Sequence, residues 1–309
     1  MLINDIKRFY AQQYVIIEEL HPHLKNILDT PGETDDEYSS RISKNPYSSV
    51  DPVSAKHTKF TQKVRELIKG GHDTGLQSDK PKKGSSRAVH FLNEGKDVTI
   101  DGVKTKVPSV LKIAFNGQLD KYKTNSERLL GEHQNEVESD GYIQDQHSVL
   151  RQNSDESYST NEHGVVAPVL SHHPDHHYLE MGQVRPMKSG EFQELTKTST
   201  HPKGLSFAKM KQVLEKEHAD AYGLNHYPTH KISDEEHDHI LQHPFTQGVQ
   251  DLIYNVGFHP GDLSPRNVGV FTHPVTGKLY PTIADYGYTN TVGEEYQKRR
   301  KRQLAGHRF

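Results

Sequence analysis

The sequence predicts an α+β protein. Apolar side chains recur at helical spacing towards both ends of the chain, as in Ile3, Ile6, Phe9 and Tyr10 and again in Phe245, Val249, Leu252, Ile253 and Val256. Between them lie short β-rich runs, Val107 to Phe115, Val165 to Leu170 and His177 to Met181. The 309 residues can hold one two-lobed domain or two small ones, and with 32% hydrophobic residues the apolar fraction is low enough to require substantial loops.

Taken in order, residues 2–28 repeat apolar positions as an amphipathic helix interrupted at Pro22. Pro31-Gly32 opens a polar, Ser- and Asp-rich segment to about Val53. A second helix is expected from near Ser54 to Ile68, stopped by Gly70-Gly71, and a lysine-rich connector runs from Gln77 to Lys83. Gly84, Ser85 and Ser86 lead into a strand ending near Leu92, and a later strand carries Lys112. Ser126 to Gly141 reads as a helix with Leu129, Leu130 and Val137 on one side. After the strands at 165–170 and 177–181, Thr198 to Gly204 is loop and Ser206 to Ala221 is helix. Ser233 with Glu236 forms a capping box, and that helix yields at Pro244 to another running to Val256. No internal repeat is present.

The chemistry is concentrated in His259-Pro-Gly-Asp-Leu-Ser-Pro-Arg-Asn267, followed by Ile283-Ala-Asp-Tyr-Gly287. Phosphoryl transfer needs one carboxylate to position an attacking hydroxyl, and an amide oxygen with a second carboxylate to hold magnesium on the phosphates. Asp262, Asn267 and Asp285 are those residue types, presented by a tight loop and by the end of an apolar run.

These two segments resemble the catalytic loop and the Asp-Phe-Gly motif of the protein kinase-like superfamily, which also includes small-molecule kinases. The resemblance covers roughly residues 84 to 288. It implies a bilobal fold: a small antiparallel β N-lobe over 84–184 and a minimal helical C-lobe over 185–309 ending in a basic tail, preceded by a helical extension over 1–80. It implies Asp262 as catalytic base and Asn267 and Asp285 as Mg2+ ligands. Lys112 would bind the α- and β-phosphates of ATP, oriented by Glu136, with Glu132 the second candidate one helical turn away. Gly84, Ser85 and Ser86 stand where a glycine-rich loop covers the phosphates, and Gly182, Gln183 and Val184 where a hinge meets adenine with its backbone.

Several features depart from the family pattern. Tyr286 replaces the usual Phe, His259 lies three residues before Asp262 instead of two, and Ser264 occupies the place of a phosphate-contacting Lys, leaving Arg266 as a substitute source of charge. Only Tyr288 to Phe309 follows Gly287, where protein kinases carry a long activation segment and further helices. The amino-terminal helices, a partner subunit or a second copy of the chain would then cover the short C-lobe. The implied reaction transfers the γ-phosphoryl group to a hydroxyl, with Ser or Thr of a protein substrate first choice; a small hydroxylated molecule or AMP transfer suits the same residues. The layout is similar to kinase-like proteins encoded by bacteriophages. A reading of another class is a catalytically weak scaffold, a binding or virion-associated structural protein.

Composition narrows the field further. The chain has no cysteine, which excludes disulfides, zinc-thiolate sites and thiol catalysis. A net charge of −3 gives no global pull towards nucleic acid or membrane. There is no 18-residue apolar run and no signal-peptide pattern at the start, so a cytoplasmic protein is expected, in the host cytoplasm or the virion if viral. Among 22 histidines, the cluster His172 to His177 and the pair His239 and His243 invite a metal, although polar loop is the plainer reading. Lys298 to Arg302 is a basic run; a solvated tail is its plain reading and contact with a nucleic-acid backbone or an acidic partner its functional one, without interleaved aromatics for base stacking.

Overall fold

The computed structural model describes residues 82–83, 87–114, 125–173, 176, 178–223 and 232–289, with backbone alone for 82–83 and 125–130. The expected helices at 2–28 and 54–68, the loop residues Gly84, Ser85 and Ser86, and the run Lys298 to Arg302 lie outside the described residues. The strands are β1 (Lys82–Lys83), β2 (Arg87–Phe91), β3 (Lys96–Ile100), β4 (Val103–Val107), β5 (Ser109–Ala114), β6 (Leu150–Gln152), β7 (Tyr158–Thr160), β8 (Val169–His172), β9 (Tyr178–Gly182), β10 (Val184–Pro186), β11 (Val268–Thr272) and β12 (Leu279–Ile283). The helices are α1 (Asn125–Glu138), α2 (Gly141–His147), α3 (Glu191–Leu195), α4 (Phe207–Tyr222), α5 (Asp234–Leu241) and α6 (Pro244–Asp251). The protein is therefore mixed α+β. It forms two compact units, one from residues up to Lys96 with Lys106–Ser139 and Val169–Gly182, the other from Asp97–Thr105, Asp140–Pro168 and residues from Gln183 onward.

In the first unit an antiparallel sheet runs in the order β1-β2-β5-β9-β8. All six residues of β5 are buried, so this strand is covered on both faces and its sequence does not alternate. Register sets Val89, Lys112 and Leu179 side by side on one face, and His90, Leu111 and Glu180 on the other. Helix α1 packs on β5 and β9. It ends three residues short of the expected Gly141, because Asp140 starts a new helix by accepting from the backbone N–H of Tyr142 and Ile143 at 3.0 and 3.3 Å.

The second unit is less purely helical than expected. It holds a four-stranded sheet in the order β4-β3-β7-β6 and the antiparallel sheet β10-β11-β12. The β3–β4 hairpin turns on Asp101-Gly102, whose φ values of 50° and 81° are both positive, the condition for a twist-matched two-residue turn. The apolar run Val165 to Pro168 is buried yet forms no ladder; the strand begins only at Val169. Helix α4 follows the expected span within one residue and buries Met210, Val213, Leu214 and Ala219. The Ser233 side chain caps α5 by accepting from Glu236 N at 3.2 Å, the first half of the expected capping box; the Glu236 carboxylate accepts from Lys209 Nζ at 2.6 Å instead. Phe192 meets Phe207 and Phe245 edge-on at 5.2 and 5.4 Å, fixing α3, α4 and α6 around one aromatic centre. Among the described residues no helix is long and apolar enough to cross a membrane.

Two buried imidazoles of this unit are wired as neutral rings. His243 caps α6 with Nδ1 accepting from Phe245 N at 3.0 Å, so Nε2 carries the proton and donates to Thr196 O at 2.8 Å. His273 likewise accepts at Nδ1 from Val275 N and Thr276 N, and Nε2 donates to Thr160 Oγ1 at 2.8 Å. Burial pushes both below the ordinary histidine value. A group depressed in the folded state contributes stability that is fully present above its unfolded value, about 6.5, and is lost as pH falls through the folded one. The melting temperature is thus expected to be lower at pH 5 than at pH 7.5; equal melting at the two values would contradict the neutral wiring.

Candidate active site

In the second unit the loop that carries Asp262 is prepared by what precedes it. Helix α6 continues as π turns over Leu252–Val256, which Gly257 ends with a φ of 74° that other residues adopt at a cost. Phe258 then pairs antiparallel with Thr289, and His259 N donates to Tyr288 O at 3.0 Å. The His259 ring closes the turn Pro260–Asp262, its Nδ1 accepting from Gly261 N at 3.0 Å. Three residues before the Asp, His259 thus caps the turn that carries it. Burial, with the His218 ring 4.8 Å away, holds His259 below the usual histidine range, so it serves as an acceptor at neutral pH.

Asn267 is bound to the same turn, its Nδ2 donating to Asp262 O at 2.9 Å. That bond uses an amide N–H and not the acceptor oxygen Oδ1. The β11–β12 hairpin brings in the third residue: Val268 pairs with Ile283, and Ala284 N donates to Asn267 O at 2.7 Å. Asp285 therefore follows at the end of the hairpin where Asn267 begins it. The next residue, Tyr286, is buried and fixed by its hydroxyl, which donates to Ala167 O at 3.0 Å and accepts from Gln144 Nε2 at 2.6 Å. The Tyr286 hydroxyl thus gives two anchors to an aromatic that packs in the core. Arg266, considered as a source of charge in place of Ser264, is exposed; Lys211 of α4 is the cation bonded to this turn, donating to Gly261 O at 3.3 Å.

In the first unit Lys112 is 5% exposed and its Nζ lies 3.0 and 2.9 Å from the two carboxylate oxygens of Glu138. The expected partner, Glu136, does not fill this role: it is exposed and meets His133 at 3.0 Å. Helical geometry explains the correction, since two residues rotate a side chain by roughly 200° about the axis. The face turned to the sheet carries Gln134, Asn135 and Glu138, all buried; Glu132 and Glu136 point elsewhere. A polar inward face gave the apolar pattern nothing to detect. Sequence reasoning also missed Arg87 of β2, which forks onto Glu138 with Nη1–Oε2 2.8 Å and Nη2–Oε1 2.9 Å, and donates to Asn135 Oδ1 at 3.1 Å.

Gly182 closes β9, Gln183 follows, and Val184 opens β10, so the expected adenine-binding stretch is an extended connector. Among the described residues no three or more His, Asp or Glu gather as a metal-binding group. His239 and His243, the pair that invited a metal, belong to different helices: α5 ends at Leu241 and His243 caps α6; His201 stacks on His239 at 4.1 Å with its Nε2 bonded to His239 O. Asn267 and Asp285 carry oxygens of the kind magnesium accepts, which takes few protein ligands and keeps its remaining positions for water and phosphate. No protein-family model matches the chain, and no curated protein matches it.

Proposed function

We propose that the protein is an ATP- and magnesium-dependent phosphotransferase with the bilobal kinase-like fold, moving the γ-phosphoryl group to a hydroxyl, with Ser or Thr of a protein as the acceptor. The observation that carries this reading is the buried pair of Lys112 with Glu138. Taking an ammonium out of water costs several kcal/mol, so a lysine is seldom buried unless a partner and a task keep it there. Strand-borne and gripped at both carboxylate oxygens, it is a cation on a rigid element, as phosphate binding requires.

The loop of the second unit supports the same reading. Asp262 would accept or orient the proton of the acceptor hydroxyl, and the Asn267 bond to its carbonyl holds the turn still while it does so. Asn267 Oδ1 and Asp285 would hold Mg2+, which when bound screens the charge on the phosphates. Tyr286, fixed at Ala167 and Gln144, keeps the Asp285 segment in place.

The test is the intact mass of the protein, alone and with a hydroxyl-bearing protein substrate, after incubation with ATP, with and without magnesium. Metal-dependent ATP turnover, or an added phosphoryl mass, is expected; an added adenylyl mass would keep the site and change the group transferred. No turnover, no added mass and no rise in melting temperature with nucleotide would reassign the chain to a binding or virion-associated scaffold.

A further inference from the structure

Three tyrosines of the second unit stand on a surface that the proposed function does not use: Tyr142 of α2, Tyr222 at the end of α4 and Tyr254 of the π turns, 45%, 43% and 48% exposed. Each is held by its hydroxyl. Tyr142 donates to Asp251 Oδ2 at 2.8 Å and accepts from Asn255 Nδ2 at 3.2 Å. Tyr222 donates to Ile253 O at 3.0 Å, and Tyr254 donates to Glu217 Oε2 at 2.9 Å. Gln250 donates to the same Glu217 oxygen at 3.1 Å, so these bonds join α2, the π turns and α4 into one continuous face. Rings fixed in this way offer contact area at little cost in conformational entropy.

The charge around the rings is mainly negative. Residues 140–150 and 232–265 contain no lysine or arginine. Asp145 is exposed three positions after Tyr142 on α2, and α4 adds Glu217 and Asp220, with Lys216 3.7 Å from Asp220. The bond to Asp251 pushes the Tyr142 hydroxyl above its ordinary value; burial, the Glu217 bond and the charge of Asp220 do the same to Tyr254. Such a face suits a cation that lies flat on an aromatic ring, as a guanidinium does. The chain carries such cations in the run Lys298 to Arg302, which starts nine positions beyond Thr289. Thr289 pairs with Phe258, four positions after Tyr254. Nine residues span up to about 30 Å, whereas Phe258 and Tyr254 lie at most about 14 Å apart, so the run is long enough to reach. We propose that this face is the docking site of the chain's own run Lys298–Arg302, its arginines on the tyrosine rings and its charge answered by Asp145, Glu217, Asp220 and Asp251. A tether this short supplies a millimolar effective concentration, so weak individual contacts suffice.

Trypsin cleavage of the run in the full chain, followed by mass, tests this against a synthetic peptide of residues 290–309 cut under the same conditions. At low salt the run is expected to be cut about tenfold more slowly in the protein, and the protection is expected to vanish at about 1 M salt, where screening acts within about 3 Å. Asp145→Lys combined with Asp220→Lys should abolish the protection without moving the melting temperature; if that chain does not fold, the Asn pair at the same positions decides. Carbodiimide coupling in a mixture of 14N- and 15N-labelled protein should join Lys298 or Lys301 to these carboxylates within one chain. A run cut as fast as the peptide, or protection that survives both salt and charge reversal, overturns the docking. Couplings that mix the isotopes overturn it too and make the face an interface between copies. None of these readouts requires ATP turnover.

Discussion

Replacing Glu138 by Gln lowers stability by about 3–5 kcal/mol, the cost of removing one partner from a buried ion pair. The magnitude follows from what stays behind. Glu138 has no exposed surface, and Arg87 and Lys112 are nearly as buried, so its loss takes the shared carboxylate away from a guanidinium and an ammonium that water hardly reaches. Gln keeps the volume and offers one acceptor oxygen in place of two, so the effect isolates charge from packing. At 2–4 °C per kcal/mol for a domain of this size, the melting temperature falls by roughly 6–20 °C. Glu136→Gln is the control on the same helix: exposed and paired only with His133, it should change stability by about 0.5 kcal/mol or less. Thermal denaturation of both variants measures the difference. If the two melt together, the shared carboxylate is not where the first unit stores its electrostatic energy.

The same helix shows why part of the fold was legible in the sequence and part was not. A capping box names its own residues, and half of it forms: Ser233 Oγ accepts from Glu236 N, while the Glu236 carboxylate turns to Lys209. Helix α4 was readable because Met210, Val213 and Leu214 repeat at helical spacing. The run Val165 to Leu170 was misleading in its first half: apolarity reports burial, not a ladder. The backbone there is satisfied by separate partners, Val165 N and Val166 N by His147 O and Ala167 N by Ile283 O, and Pro168 has no N–H to offer a neighbouring strand. The β3–β4 hairpin carried a strong signal in Asp101-Gly102, but its flanks are too polar and too exposed to alternate visibly.

At the site, what could be read were residues whose chemistry and spacing are local. Asp262 and Asn267 lie five positions apart and are bonded across that interval. Asp285 arrives by a hairpin whose register no local pattern specifies, and the Lys112 partner arrives from 26 positions away. Over that distance a carboxylate two positions off looks equally suitable, and only the rotation of α1 on the sheet decides. Arg87 was invisible for a further reason: a buried arginine at the start of a strand has the composition of an edge.

Asp262→Asn should lower the turnover of the proposed reaction by roughly 10²–10⁴-fold, the range over which a positioned acid–base group contributes. Binding and folding should survive, because two bonds that shape the loop run through the main chain of residue 262: its oxygen accepts from Asn267 Nδ2 at 2.9 Å, and its N–H donates to His259 O at 3.0 Å. A variant with normal ATP affinity, normal melting temperature and a collapsed kcat is therefore the expected result. Asn267→Leu is the contrasting case. It removes the tie to the turn together with the oxygen proposed for magnesium, so affinity for the metal nucleotide and kcat should fall together, with some loss of stability from the carbonyl left unpaired. The split matters more than either number. A catalytic base is the one residue of the three whose loss is felt after binding, so undiminished turnover in Asp262→Asn would remove Asp262 from the chemistry even if the protein binds ATP and magnesium well.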